Sequence, residues 1–303
     1  MTRERQIVVL RNKIYEEILS AFKLPRNNIS RKILSPLFKR PAEKFARIGA
    51  NLDYDVKELG VRKAAELMLA NFVEKVSSIG QNRVPKEGPL LVVSNHPGTI
   101  DSVAIAASLP RNDLKIVAQS IPFLMDLPNA SEHLIYTKKP PHIESRAAVV
   151  RSSIRHLQSG GAVLIFPSGQ IDPDPAVLPK AKEAIEKWSR SIALMLRQAP
   201  ETSTLVTIVS GVLEKRYAHN LITKIHRDPI AQRRMAEFMQ VLQQLFRDRK
   251  ISETNITFAN PILSSWFENI RDTREVIEKI KQQALDLLDE HMISFGSSLQ
   301  IES

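Results

Sequence analysis

The chain has 303 residues, enough to bury a substantial core as one large domain or two unequal ones. It contains no cysteine, which excludes disulfides and thiolate metal ligands and fits a reducing cytosolic setting. A formal charge of +10 points to anionic partners, among them phosphorylated metabolites, coenzyme A, an acidic carrier protein or an anionic membrane; aromatics at 6%, without a zinc knuckle or a glycine- and arginine-rich tract, argue against nucleic acid.

In chain order, the first eighty residues read as helical. Ile7, Leu10, Ile14, Ile18 and Phe22 make one apolar stripe, and Val61, Ala65, Met68, Phe72, Val76 and Ile79 make another. Residues 1–80 are therefore expected to be an N-terminal helical domain. Between the stripes, residues 31–48 mix basic residues with Leu37, Phe38, Phe45 and Ile48. That mixture suits either contact with an anionic membrane or, the preferred reading, an amphipathic helix packed on the main domain with a solvated basic face. The start of the chain shows no secretory signal core and no apolar run reaches bilayer length, so a soluble or peripheral cytoplasmic protein is expected.

The pattern changes within 81–88, and residues 81–303 are expected to form an α/β domain. Short apolar runs at 90–93, 114–118, 133–136, 162–166, 205–209 and 255–259 read as strands, with helical patterns at 144–158, 180–197 and 231–249 and a last helix capped at Asp272. Repeated strand–helix order predicts a mainly parallel sheet covered by helices on both faces. Ligands of such sheets gather where strands end and helices begin.

The first strand ends in Ser94-Asn95-His96-Pro97-Gly98, so a histidine stands at the rim of the sheet. Thr99 is placed to cap the following helix and Asp101 falls in its first turn. A carboxylate on one imidazole nitrogen fixes the tautomer, leaving the other nitrogen to take a hydroxyl proton. The spacing alone is weak evidence and better suits a capping aspartate beside a structural histidine.

A second rim stretch is Phe166-Pro167-Ser168-Gly169, whose turn at Ser168 and Gly169 offers backbone donors to an anion, or is simply a tight turn. Ser168 lacks the flanking glycines of a nucleophile elbow, since Phe166 and Gln170 occupy those positions. Asp172 and Asp174 follow it and read as a solvated turn. No paired spacing among the seven histidines suggests a metal site. A third stretch, Tyr136-Thr137-Lys138-Lys139 with His142, delivers cations to the same rim, and Arg146, Arg151 and Arg155 continue the charge into the next helix.

Taken together, these three stretches resemble the glycerolipid acyltransferase superfamily, whose signature is Asn-His, four residues and Asp, here Asn95, His96 and Asp101. Tyr136-Thr137-Lys138-Lys139 and the Pro-Ser-Gly turn with its aspartates are most similar to the plastid-type soluble glycerol-3-phosphate acyltransferases. The resemblance implies a hydroxyl attacking an acyl thioester without a covalent enzyme intermediate: His96 as base, Asp101 as its orienting partner, and Lys139 on the acceptor's phosphate. Asn95, Lys138, His142, Arg146, Ser168 and Gly169 would line the substrate site. Acyl-CoA or acyl carrier protein would be the donor, with no further cofactor, and glycerol 3-phosphate or a lysophospholipid the acceptor. Gln170 and Ile171 stand where the subfamily carries phosphate-gripping arginines, and Pro140 replaces its histidine after Lys-Lys. This leaves the acceptor open, and a second reading is a non-catalytic lipid- or acyl-carrier-binding protein on the same fold.

Overall fold

The computed structural model describes residues 3–21, 28–137, 143–267, 270 and 272–296. Helices α1 (Arg3–Ala21), α2 (Asn28–Leu59) and α3 (Val61–Leu69) precede β1 (Val73–Ile79). There follow β2 (Leu90–Ser94), α4 (Asp101–Ser108), β3 (Leu114–Gln119), the short α5 (Pro122–Met125) and α6 (Pro128–Ser131), and β4 (Leu134–Thr137). The chain continues through α7 (Ile143–Gln158), β5 (Ala162–Ile165), α8 (Ala181–Glu186), α9 (Ser191–Gln198) and β6 (Ser203–Ser210). It closes with α10 (Lys215–Ala218), α11 (Pro229–Arg247), β7 (Ile251–Phe258) and α12 (Thr273–Phe295).

One seven-stranded sheet has the order β1-β7-β6-β2-β5-β3-β4. β6, β2, β5, β3 and β4 run parallel, whereas β7 pairs antiparallel with β6 and carries the parallel β1 beside it. Every residue of central β2 is buried. Leu90 and Val92 pack into the core with α3, α4 and α11, while Leu91 and Val93 pack into the core with α7, α9 and α12. This is why the strand reads as an unbroken apolar run: alternate residues enter different layers. Each such burial stabilises the fold by about 1.5–3 kcal/mol. The expected mainly parallel sheet with helices on both faces is the observed architecture.

The helical reading of the N-terminal region extends too far. Val76 and Ile79 lie in β1, in register with Thr254 and Thr257 of β7. A spacing of three fits a helix as well as an edge strand that buries only part of one face, and pairing with β7 decides for the strand. Upstream, Leu10, Ile14 and Ile18 of α1 are buried against α2, while Phe22 lies outside the described residues. The basic segment packs as an amphipathic helix where its side chains are described. Phe38 and Ile48 are buried, and Phe45 stacks on Phe123 with centroids 4.9 Å apart. Arg40 and Lys44 pair with Asp248, and Arg47 with Glu43.

The helix expected over 180–197 is two helices broken at Lys187–Arg190. Trp188 is buried there, and Ser189 N–H donates to Pro167 O at 3.1 Å, which ties the break to the end of β5. Asp53, buried in α2, accepts from Gln6 Nε2 (3.1 Å), Asn129 N (2.8 Å) and Ala130 N (3.0 Å), so one carboxylate caps α6 and joins it to α1. Among the described residues, no helix is long and apolar enough to cross a membrane.

On the far side of the sheet, α12 is pinned by His291, fully buried between Thr257 Oγ1 at 2.8 Å and Ser210 Oγ at 2.7 Å. Burial lowers its pKa from 6.5 to about 4. The unfolded chain therefore binds this proton more readily, so the contribution is complete above pH 6.5 and is lost as the pH falls through that value towards 4. Urea unfolding should show a loss approaching about 3 kcal/mol across this window, reduced in His291→Gln. Equal slopes in the two proteins would contradict this assignment.

Candidate active site

The parallel strands β2 and β5 end side by side, and their next residues build one cluster. At the end of β2 the Asn95 side chain closes a two-bond clamp on β6: Nδ2 donates to Val209 O at 2.9 Å and Val209 N donates to Oδ1 at 2.8 Å. Asn95 is buried, and both ends of its amide are engaged by backbone. These two bonds hold the chain of this expected substrate-binding residue to β6 just before His96.

His96 Nδ1 lies 2.8 Å from Asp101 Oδ2. Asp101 is fully buried in the first turn of α4, where Oδ2 also accepts from Gly98 N at 3.0 Å and Oδ1 accepts from Ser102 N. Because a carboxylate oxygen accepts, Nδ1 is the ring nitrogen that donates in this contact, which leaves Nε2 for another partner. Nε2 has no hydrogen-bond partner among the described residues, and the side chain remains 26% exposed. The Phe166 ring at the end of β5 stacks on the imidazole, with centroids 4.3 Å apart and planes 19° from parallel.

Asp172 and Asp174 are not the solvated turn expected of them, since both are buried. Asp172 brackets the His96 backbone: Oδ2 accepts from His96 N at 2.9 Å, and Asp172 N donates to His96 O at 2.7 Å. Asp174 accepts from Ala176 N, Gly211 N, Val212 N and Leu213 N at 2.8–3.2 Å, which locks the turn after β6 onto the loop after β5. Carboxylates deep in a fold persist when backbone amides replace their water, and four donors do so here.

Ser168 donates its hydroxyl to Gln170 O at 2.9 Å, and Gly169, at φ 67°, closes the turn with its N–H on Phe166 O at 3.0 Å. The Gly169 amide is therefore not the free donor that the motif suggested. Arg146 is exposed on α7. Lys138, Lys139 and His142 lie outside the described residues.

Two further charged groups come from α11, which the pattern alone presented as a plain amphipathic helix. Glu237 is buried, and its Oε1 accepts both the N–H and the hydroxyl of Thr99. Thr99 consequently does not cap α4, which starts at Asp101 after Ile100. Glu237 also dictates Gly98, because a Cβ there would lie 2.4 Å from Oε1 and 2.7 Å from Val212 Cγ1. One turn earlier, Arg233 Nε donates to Ile171 O at 3.0 Å, and its Nη groups have no acceptor among the described residues. The available signal was the spacing Arg233, Glu237, Gln240, Gln244, polar groups three or four apart on a helix whose neighbours Met235, Ala236, Leu242 and Leu245 are core.

These charges determine the protonation of the site. Burial pulls the His96 pKa down, but Asp101, by charge and hydrogen bond, and then Glu237 and Asp172, by charge, outweigh it and raise the pKa to about 9. Burial pushes Glu237 up to about 7 against the attraction of His96. Burial also raises Asp172, opposed by its bond from His96 N, by the neighbouring Ser168 hydroxyl and by the positive charges of His96 and Arg233. The group best placed to move a proton is thus an imidazole held tightly in its charged form.

Residues 75–200 match the family model described as Acyltransferase, a span that contains His96, Asp101 and the Pro-Ser-Gly turn. No curated protein matches the chain. Among solved structures, the chain is similar to the 1-acyl-sn-glycerophosphate acyltransferase from Thermotoga maritima, at 14% identity and a TM-score of 0.42, with 94% of this chain and 98% of that chain covered.

Carbon or nitrogen NMR titration of His96 should show the proton leaving near pH 9, and Glu237→Gln should lower that value by removing one of the three carboxylates. An imidazole that titrates near 6.5 and ignores Glu237→Gln would contradict the electrostatic account.

Proposed function

We propose that the protein transfers an acyl group from a thioester to the hydroxyl of an anionic acceptor of glycerol 3-phosphate or lysophospholipid type. The observation that carries this reading is the 2.8 Å contact between His96 Nδ1 and buried Asp101, which leaves Nε2 open at the rim. The similarity of residues 75–200 to the Acyltransferase family model supports the same class of reaction.

Neutral His96 takes the proton of the acceptor hydroxyl through Nε2 as the oxygen attacks the thioester carbonyl. Asp101 stabilises the imidazolium that forms. The tetrahedral adduct then expels the thiolate, which takes the proton from Nε2, so the products are the ester and the free thiol. No serine nucleophile takes part, in keeping with the engagement of Ser168 by Gln170 O. Acyl-CoA or acyl carrier protein serves as donor without another cofactor.

Arg233 is the arginine missing from the sequence after Gly169. It reaches the same turn from α11, and its Nη donors, without an acceptor among the described residues, are offered to the acceptor's anionic group. Lys138 and Lys139 join it on the strength of the sequence resemblance, with His142 and Arg146 as further basic residues close by in sequence. A cytoplasmic protein in peripheral contact with an anionic membrane fits both the net charge and a lipid product.

One observation favours the second reading, a non-catalytic lipid- or acyl-carrier-binding protein. With a pKa near 9, only about 1% of the His96 population is neutral at pH 7. Turnover distinguishes the two. Purified protein supplied with acyl thioesters and a panel of phosphorylated and uncharged alcohols should release thiol in step with acylated product. His96→Ala and Asp101→Asn should each reduce kcat/KM by about 10²–10⁴. Arg233→Ala should raise KM for phosphorylated acceptors by roughly tenfold or more, the equivalent of losing a charge-assisted hydrogen bond of about 1.5–3 kcal/mol, and leave KM for the thioester unchanged. Identical thiol release from wild type and His96→Ala, without acylated product, would remove the enzymatic reading.

A further inference from the structure

Most exposed large apolar side chains, such as Val8, Tyr54, Met125, Leu194 and Ile293, come singly along the chain. Among the described residues the exception is the 3-10 turn Leu221–Ile225, where Leu221, Ile222 and Ile225 are 73%, 46% and 67% exposed. The turn is held by its own bonds. Asn220 Oδ1 accepts from Ile222 N at 2.9 Å, the hydroxyl of buried Thr223 donates to Asn220 O at 2.6 Å, and Gln232 Nε2 donates to His226 O at 2.7 Å. With Thr223 turned inward and the backbone fixed, the three apolar side chains are held out in water.

The exposed charges along this segment are mainly basic. Lys215, Lys224 and Arg227 are exposed and have no carboxylate partner among the described residues, while Arg216 pairs with Glu214. The nearest acidic side chain in sequence, Asp228, is engaged in capping α11 through Ala231 N at 2.9 Å. The position is also informative. The segment leaves the end of β6, parallel to β2 and therefore at the same edge of the sheet as His96, and runs directly into α11, which carries Arg233 and Glu237.

We propose that the tip formed by Leu221, Ile222 and Ile225, with the exposed Lys215, Lys224 and Arg227 of the same segment, is a docking surface for an anionic lipid bilayer. Preformed apolar projections enter the boundary between head groups and acyl chains, and the cations meet lipid phosphates. Such an arrangement fits a membrane better than an acidic protein, because three splayed aliphatic side chains present no concave surface for a partner to fill. Each cation near an anionic surface strengthens binding roughly fivefold at moderate ionic strength, and added salt weakens that part alone. Docking at this place brings the edge of the sheet that carries His96 towards the lipid.

The test is sedimentation of the full chain with vesicles of phosphatidylglycerol and phosphatidylcholine, and with phosphatidylcholine alone. Wild type should bind the mixed vesicles and bind neutral ones at least tenfold more weakly. The triple variants Leu221→Ser/Ile222→Ser/Ile225→Ser and Lys215→Gln/Lys224→Gln/Arg227→Gln should each lose at least tenfold in binding to the mixed vesicles, with thermal unfolding unchanged. In a separate variant, Ile225→Trp, added anionic vesicles should shift the tryptophan emission to shorter wavelength. Undiminished binding of the triple serine variant, an unshifted Ile225→Trp emission, or failure of wild type to bind anionic vesicles would each overturn the assignment.

Discussion

The site depends on keeping buried carboxylates supplied with donors at the place where β2 ends. Asp101, Asp172, Asp174 and Glu237 are all buried, and each is held by backbone N–H groups of neighbouring turns. An ionised carboxylate without such donors would be strongly destabilising in a fold interior. The turns that carry the donors therefore have little freedom: the Asn95–Thr99 turn, the loop after β5 and the turn after β6 are tied to one another through these side chains. His96 is placed by this network twice, through its ring on Asp101 and through its backbone on Asp172.

The same network has an electrostatic consequence. Three carboxylates around one imidazole favour the imidazolium, the species formed after a hydroxyl proton has been taken. The arrangement thus keeps most of the resting histidine protonated and would stabilise the imidazolium formed in the proposed transfer. Glu237, which lies near the middle of its own titration at neutral pH, is the member of the cluster whose charge is easiest to change, and it acts directly on both His96 and the Thr99 turn.

Much of the fold was legible because a parallel sheet covered on both faces leaves a strong imprint. β2 and β5 read as unbroken apolar runs, and six of the strands could be placed from such runs and their flanking turns. β1 was not legible: Phe72, Val76 and Ile79 fit a helical spacing, and only pairing with β7, far along the chain, makes the segment a strand. The His96–Asp101 pair was visible because both partners lie within one strand–turn–helix unit. Glu237 and Arg233 were harder to see: their polar spacing on α11 marks a face, but their contacts reach across more than sixty residues, and no local pattern says what that face meets. Asp172 and Asp174 were misread for a related reason: aspartates beside prolines resemble a solvated turn, and their burial is decided by distant amides such as Val212 N.

The central claim is that His96 activates the acceptor directly, with no acyl group resting on the protein. It is tested most directly by the intact mass of the protein during incubation with an acyl thioester, with and without a phosphorylated glycerol acceptor. The account predicts an unmodified mass in both cases and thiol release only when the acceptor is present. A protein heavier by one acyl group before acceptor is added, on Ser168 or elsewhere, would contradict it.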